Sequence, residues 1–205
     1  MTRLSTLALT IAASSIALAA CTKSEAPAEN VAVADDMASA NAVDSTMAAG
    51  NDATAAPATF FFKGGDGAEL GTVSVSEDAA GLTLNLNATG MPAGVHGIHL
   101  HEMGLCDGPK FDNAGAHWNP ATKKHGRDNP AGAHAGDLAN ITVNADGSAK
   151  VNIPIAGVMM ASGAQMLSDA DGTALVIHAK ADDYKTDPSG DSGDRIACAV
   201  VAAPK

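Results

Sequence analysis

Alternating apolar and polar residues are the dominant pattern of the chain from residue 58 onwards. Leu82, Leu84 and Leu86 alternate with threonine and asparagine, which predicts a strand with one buried face. Residues 141–143 and 149–153 flank an Asn-Ala-Asp-Gly segment, which predicts a hairpin. No segment keeps a helical period for more than about two turns. Further strands are predicted at residues 59–62, 72–76, 95–101, 175–177 and 196–201.

This pattern indicates an all-β fold, because about seven or eight short strands are separated by glycine, asparagine and aspartate. Such strands form an antiparallel sandwich or a flattened barrel. Two long segments, residues 102–136 and 180–194, interrupt the strands. Structureless segments of this length are usually functional in a compact domain. The first segment contains three of the histidines, so we expect a metal to order it.

The first 57 residues differ in composition from the rest. Residues 1–20 have a basic start at Arg3 and an apolar stretch that ends in Leu-Ala-Ala before Cys21, as in a lipoprotein signal peptide with Cys21 lipidated. A membrane-spanning helix is the alternative, but the stretch is short for a span of about 20 apolar residues. Residues 21–57 lack aromatic side chains, which predicts a disordered tether rather than an alanine-rich helix. Residues 58–205 are then the folded domain.

Charge and cysteine content narrow the function further. The chain has 12 basic and 23 acidic residues, a formal net charge of −11, and no basic patch, so nucleic acid is not expected as a partner. If Cys21 is lipidated, Cys106 and Cys198 remain as an even pair in an exported protein. They could form a disulfide, worth about 4–5 kcal/mol for a loop of this length. They could instead bind a metal, although neither lies in a Cys-x-x-Cys context.

All seven histidines lie between His96 and His178. Imidazole is the commonest metal ligand and binds as the neutral base, so this density predicts a metal site. On a strand, alternate side chains share a face, and His99 and His101 therefore project together. His96 lies on the opposite face, where we expect a hydrogen-bonded structural histidine.

The other histidines divide into two sets. A closely spaced set offers three nitrogens and one carboxylate, which suit tetrahedral zinc: His117, His125, His134 and Asp137. Asp137 could also be a simple turn residue before the next strand. An all-imidazole set remains for a second metal: His99, His101 and His178. Such a site is well suited to Cu(II), although zinc and nickel also fit.

At this point the residues resemble those of the copper/zinc superoxide dismutases. The resemblance covers residues 59–202 with order and spacing kept, and Trp118 and residues 183–190 are similar to the exported bacterial branch. The matching segments are GVHGIHLHE at 94–102, AHWNP at 116–120, KHG at 124–126, HAGDL at 134–138, VIHAKADD at 176–183 and GDRIAC at 193–198.

The resemblance implies an eight-stranded Greek-key sandwich or flattened barrel that dismutates superoxide to dioxygen and hydrogen peroxide. It implies one copper ion on His99, His101, His117 and His178. It implies one zinc ion on His117, His125, His134 and Asp137. His117 would then be shared by both metals and would pass a proton to the product, which spacing alone does not reveal.

The resemblance also implies roles for residues outside the ligand sets. Cys106 and Cys198 would form a disulfide, and Asp182 would accept hydrogen bonds from His99 and His125 and so orient them. Arg195 would guide the superoxide anion, because a guanidinium is always charged and has several donors in one plane. A surface ion pair is the alternative for Arg195.

Two acids in the second long segment, Asp191 and Asp194, depart from the family's pattern and lie near Arg195 in sequence. We therefore expect the rate to depend less on ionic strength than it does in relatives with basic loops. The resemblance places the domain in the periplasm on a lipid anchor, with the outer membrane favoured because Thr22 follows Cys21. Bacterial members are monomers or dimers, so a homodimer stays open. The alternative functions are those of a non-catalytic metal-buffering relative and of a structural zinc protein.

Overall fold

The computed structural model describes residues 57–205, so the predicted signal peptide, Cys21 and all but the last residue of the tether lie outside the described residues. Alternation produces the strands as expected; in the third strand Leu82, Leu84 and Leu86 are buried, whereas Thr83 and Asn85 are half-buried. The described residues form nine strands: β1 (Ala58–Gly64), β2 (Glu69–Asp78), β3 (Gly81–Ala88), β4 (Gly94–His96), β5 (Ile98–His101), β6 (Ile141–Val143), β7 (Ala149–Ala156), β8 (Thr173–His178) and β9 (Arg195–Ala202).

Seven of the strands form one curled antiparallel sheet in the order β5-β8-β9-β1-β2-β3-β7, and β4 pairs with β6. Strands far apart in sequence are neighbours, since β1 pairs with β9 and β5 with β8. The apolar faces enclose one large core, which includes Phe62, Leu84 and Ile177. The predicted all-β antiparallel Greek-key fold is confirmed. No helix within the described residues is long and apolar enough to cross a bilayer.

The prediction of a single strand at residues 95–101 is wrong, because the chain leaves one sheet and enters the other at Gly97. β4 pairs with β6, whereas β5 pairs with β8. Gly97 N–H donates to Lys180 O, and Gly97 O accepts from His178 N–H, both at 2.8 Å. Residues 57–205 contain nine strands where eight are predicted, because the single predicted strand is divided into β4 and β5. The break leaves His99 and His101 on one face of β5, as expected.

Two long segments outside the strands carry most of the candidate site residues. The first runs from the end of β5 to β6 and contains a short 3₁₀ turn at Asp112–Ala114. The second joins β8 to β9. The predicted disulfide is confirmed: Cys106 of the first segment is bonded to Cys198 of β9, with 5.7 Å between the Cα atoms. Phe111 and Ala114 pack beside it against Val176 in a small second hydrophobic cluster.

Candidate metal centre

Four histidines from three different parts of the fold meet at one point, and we call them the four-histidine group. His99 and His101 come from β5, and His178 ends β8 beside it. His117 comes from the first long segment and forms an isolated bridge with His101. One ring nitrogen of each lies within 4.8 Å of the corresponding atoms of the others. The structure thus brings together all four residues that the resemblance implies for copper.

Each ring of the four-histidine group has one buried nitrogen with no hydrogen-bond partner among the described residues. These atoms are His99 Nδ1, His101 Nε2, His117 Nε2 and His178 Nε2. A buried polar atom without a partner costs free energy, and native structures rarely keep one without a reason. Four such atoms facing one another are what a metal ion would satisfy, so this donor set fits a metal.

The opposite ring nitrogens are already held. His99 Nε2–H donates to Asp182 Oδ2 at 2.9 Å, and His101 Nδ1–H donates to Gly115 O at 3.0 Å. His178 Nδ1–H donates to Gly193 O at 3.1 Å. A hydrogen bond at one nitrogen fixes the tautomer and leaves the other as a free base for a metal.

A second cluster, the Asp137 group, lies next to the first. It consists of His117, His125, His134 and Asp137. The Oδ1 atom of Asp137 lies 3.0, 3.0 and 3.1 Å from Nδ1 of the three histidines in that order. In a tetrahedron with metal–ligand bonds of about 2.0–2.1 Å the ligand atoms are about 3.3 Å apart. The spacing of the three nitrogens around one oxygen therefore fits zinc.

His117 belongs to both groups. Its Nδ1 faces Asp137 and its unpartnered Nε2 faces the other three histidines. The centroids of the His117 and His99 rings are 4.0 Å apart. One imidazole therefore has its two nitrogens aimed at two different candidate metal positions.

Asp182 connects the two groups by accepting a hydrogen bond from one histidine of each. It is buried, and its Oδ1 accepts from His125 Nε2–H at 3.0 Å while its Oδ2 accepts from His99 Nε2–H. Both bonds implied by the resemblance are present. The backbone of Gly190 passes directly over this carboxylate with φ of 67°, and a Cβ there would overlap Asp182 Oδ1. Only glycine fits that position.

Burial keeps three of these imidazoles neutral. It lowers the pKa of His101 to about 2, of His178 to about 3 and of His117 to about 4, and neighbouring histidines lower all three pKa values further. Asp137 acts to raise the pKa of His117 but does not outweigh burial. Burial also acts to lower the pKa of His125, but the Asp137 and Asp182 carboxylates outweigh it and raise that pKa to about 9.

The same contacts act on the carboxylates. Burial acts to raise the pKa of Asp137 and Asp182, but hydrogen bonds from the histidines hold both well below the usual range. Both carboxylates are therefore ionised at neutral pH, and each contacts ring nitrogens of the histidine ligands proposed above.

Arg195 lies at the start of β9, directly paired with His178 across the sheet. Its guanidinium is half-buried and donates to Phe111 O and Gly115 O, both at 2.6 Å. Gly115 O also accepts from His101, so one carbonyl connects the arginine to the four-histidine group. Burial lowers the pKa of Arg195, and Asp112 acts in the opposite direction.

A cleft of about 580 Å³ opens beside this arginine. Four charged residues line it: Lys110, Asp112, Asp194 and Arg195. Asp191 is exposed but is not part of the lining. Of the two acids singled out in the sequence, Asp194 alone therefore borders the cleft.

The seventh histidine is outside both groups. His96 is buried, with Nδ1 at 2.8 Å from His178 O and Nε2 at 2.9 Å from Pro92 O. It is the hydrogen-bonded structural histidine that the alternation predicts.

Sequence reasoning missed contributors that act through the backbone or across long separations. The carbonyls of Phe111 and Gly115 leave no residue-type signal. Asn140 and Tyr184, which contact Asp182, were not singled out either. Tyr184 is the only tyrosine of the chain, and it lies in the segment 183–190 that is similar to the exported bacterial branch, but neither fact indicates its contact with Asp182.

Comparison with known proteins agrees with this geometry. The model of the family described as copper/zinc superoxide dismutase matches residues 69–201. The chain belongs to this family. The Cu-Zn superoxide dismutase of Caulobacter vibrioides is 44% identical over 147 residues, which cover 70% of this chain and 84% of the relative. One from Aquifex aeolicus is 42% identical over 137 residues, covering 66% and 81%.

Solved structures of the family show the same fold. A superoxide dismutase-like protein from Bacillus subtilis matches with a TM-score of 0.69 and 37% identity, over 71% of this chain and 99% of that one. The Cu/Zn superoxide dismutase from Brucella abortus matches with a TM-score of 0.57 and 27% identity, over 71% and 99%. The family binds copper and zinc, and the two clusters offer a donor set for each.

Proposed function

We propose that the four-histidine group holds copper, that the Asp137 group holds zinc, and that the chain dismutates superoxide. The observation that carries this proposal is the set of four unpartnered, buried ring nitrogens that face one another. An all-imidazole site suits copper, and three imidazoles with one carboxylate suit a structural zinc.

The reaction takes two superoxide anions and two protons and gives dioxygen and hydrogen peroxide. The four-histidine group would hold copper, which supplies a reversible one-electron couple, and the Asp137 group would hold zinc, which would keep the His117 ring in place. Arg195 binds the anion through guanidinium donors that the Phe111 and Gly115 carbonyls hold in place. His117, whose Nε2 faces the four-histidine group, would pass one of the two protons to the product, and solvent would supply the other. Asp182 keeps His99 and His125 in the right tautomer.

The chain acts in the cell envelope, with the folded part facing the periplasm. Support for this part of the proposal comes from the Leu-Ala-Ala-Cys end of the signal-like segment and from Thr22, which favours the outer membrane. A lipid on Cys21 is then the sole attachment to the membrane.

One experiment tests the catalytic proposal. Copper and zinc are measured in the purified full chain, and superoxide removal is assayed for wild type and His178→Ala. We expect one ion of each metal in wild type, and a loss of copper with at least about a 100-fold lower rate in the variant, because even residues that only orient a ligand contribute about 10–100-fold. His96→Gln is the control and keeps its copper. Metal binding without superoxide removal would favour the metal-buffering alternative.

A further inference from the structure

Asp182 is the shared support of both proposed metal sites, yet it lies outside the strands. It belongs to the segment between β8 and β9, four residues after the end of β8. Its two oxygens hold one histidine of each group, His99 and His125. A displacement of the Asp182 backbone would therefore move ligands of both sites together.

Asn140 ties that backbone to the sheet. Its Nδ2–H donates to Asp182 O, and its Oδ1 accepts from Asp182 N–H, both at 2.9 Å. The side-chain amide of Asn140 thus binds both the backbone N–H and the backbone carbonyl of Asp182. Asn140 directly precedes β6, whose residues pair with β4, so its own position is set by the sheet.

Tyr184 completes the support from the other side. Its backbone N–H donates to Asp182 Oδ1 at 2.7 Å, and its hydroxyl accepts from Asn140 N–H at 2.8 Å. Its φ is 63°, a left-handed conformation that few residues other than glycine adopt, so the surrounding contacts must hold it there. One of them is the Arg127 guanidinium, 5.3 Å from the centre of the tyrosine ring.

The Tyr184 carbonyl also reaches the segment that carries His125. It accepts from Asp128 N–H at 3.1 Å, and Gly126 passes so close that a Cβ there would overlap it. Asn140 and Tyr184 therefore connect three parts of the chain around Asp182: the entry to β6, the segment after β8 and the segment around His125.

We infer that Asn140 and Tyr184 are positioning residues that hold Asp182 midway between the two metal sites and so set the affinities for copper and zinc together. The inference rests on the proposed ligand sets. Its distinctive consequence is that one substitution remote from both metals weakens both, because Asp182 touches a ligand of each.

The test uses Asn140→Ala and a matched control, Asn119→Ala, in the full chain. Asn119 makes the same pair of bonds, with Nδ2–H donating to Lys123 O and Oδ1 accepting from Lys123 N–H, both at 2.9 Å, but it does not touch Asp182. Affinities for Zn²⁺ and Cu²⁺ are measured separately by competition with a chelator. The electron paramagnetic resonance spectrum of bound Cu²⁺ reports its ligand geometry.

We expect Asn140→Ala to weaken both metals by about tenfold or more and to alter the copper spectrum. Asn119→Ala should leave both affinities within about twofold of wild type. If Asn140→Ala does not fold, Tyr184→Phe serves instead, because it removes only the hydroxyl; a smaller weakening of both metals is expected. Equal weakening by the Asn119 and Asn140 variants, or weakening of a single metal, would overturn the inference. A wild-type chain that binds neither metal would instead refute the proposed ligand sets.

Discussion

Charges beside Arg195 decide how strongly the cleft attracts an anion. Lys110 and Arg195 are opposed there by Asp112 and Asp194, so the lining has no net charge. A cleft with one sign of charge raises association rates by about 10–10³-fold. The two acids therefore remove most of the attraction that the two cations would provide.

We predict that Asp112→Asn combined with Asp194→Asn raises the rate at low ionic strength by between about two- and tenfold. The added attraction should fade with salt, because exposed charges are screened over about 10 Å at 0.1 M. The wild-type rate should change little over the same range. The rate of superoxide decay at low and high salt measures both effects.

Asp191→Asn is the control for the Asp194→Asn half of that variant measured alone, since it removes one negative charge from the same segment at a residue outside the cleft lining. Asparagine also tolerates the φ of 48° found there. An equal gain from Asp191→Asn would show that overall charge, and not the charge of the cleft, controls the rate.

His125 gives zinc binding a dependence on pH. Its raised pKa of about 9 means that the metal-free ring carries a proton at neutral pH, which zinc must displace. We predict that zinc binding at pH 7.5 releases about one proton and that zinc affinity rises about tenfold per pH unit up to about pH 9. Titration calorimetry in buffers with different ionisation enthalpies counts the protons.

The copper site is the internal comparison for that measurement. His101, His117 and His178 have lowered pKa values, so at pH 7.5 copper added to the zinc-free chain binds these neutral rings without displacing a proton. Zinc uptake with no more proton release than copper uptake would contradict the prediction.

At the residue scale, the sequence predicts the ligand types but not how they are shared. Alternation places His99 and His101 on one face, because the period of a strand is independent of tertiary contacts. The double use of His117 depends on how a long segment folds back onto β5. No local pattern encodes that arrangement, so it came from the resemblance. The hydrogen bonds between Asn140 and Asp182 join residues 42 positions apart in sequence, and no sequence pattern predicts them.

Among the elements, the strands follow from the sequence and the crossing at Gly97 does not. Alternation at residues 98–101 predicts β5 but does not mark its separation from β4, and the two strands belong to different sheets. The bonds of Gly97 to Lys180 and His178 form only once β8 is in place. A non-local contact therefore overrides what the local pattern predicts.

The segment from Cys106 to Gly115 connects the disulfide to Arg195, the proposed anion-binding residue. Cys198 fixes its beginning, and the carbonyls of Phe111 and Gly115 hold Arg195. We predict that Cys106→Ala with Cys198→Ala lowers the free energy of unfolding of the metal-free chain by about 4–5 kcal/mol, the chain entropy of this loop. Urea unfolding measures that change. Superoxide removal per bound copper should also fall, because Arg195 loses its fixed position.

Metal analysis of every sample separates the two effects of the cysteine variant. Wild type treated with a thiol reductant serves as the second sample with an open disulfide and unchanged side chains. A variant that keeps the wild-type rate per bound copper would show that Arg195 is held without the disulfide.

On the scale of the whole molecule, the chain combines a rigid sheet with two segments that carry chemistry. The proposed metal ligands come from β5, from the end of β8 and from the first long segment, so the site forms only when all three meet. The sheet fixes two of them through the β5–β8 pairing. Bound metals should therefore stabilise the long segments far more than the sheet.

The proposed lipid on Cys21 leads to a prediction about the full chain in cells. A flexible tether of residues 22–57 would have a root-mean-square length of roughly 33 Å. The folded part would then stand clear of the bilayer, and the cleft beside Arg195 would stay open to superoxide. Cys21→Ser should move the chain from the membrane fraction to the soluble periplasmic fraction, because the lipid is its only attachment. Its specific activity should not change, since the proposed ligand sets contain no residue of the tether. A Cys21→Ser chain that still sediments with membranes would instead support a spanning segment at residues 1–20.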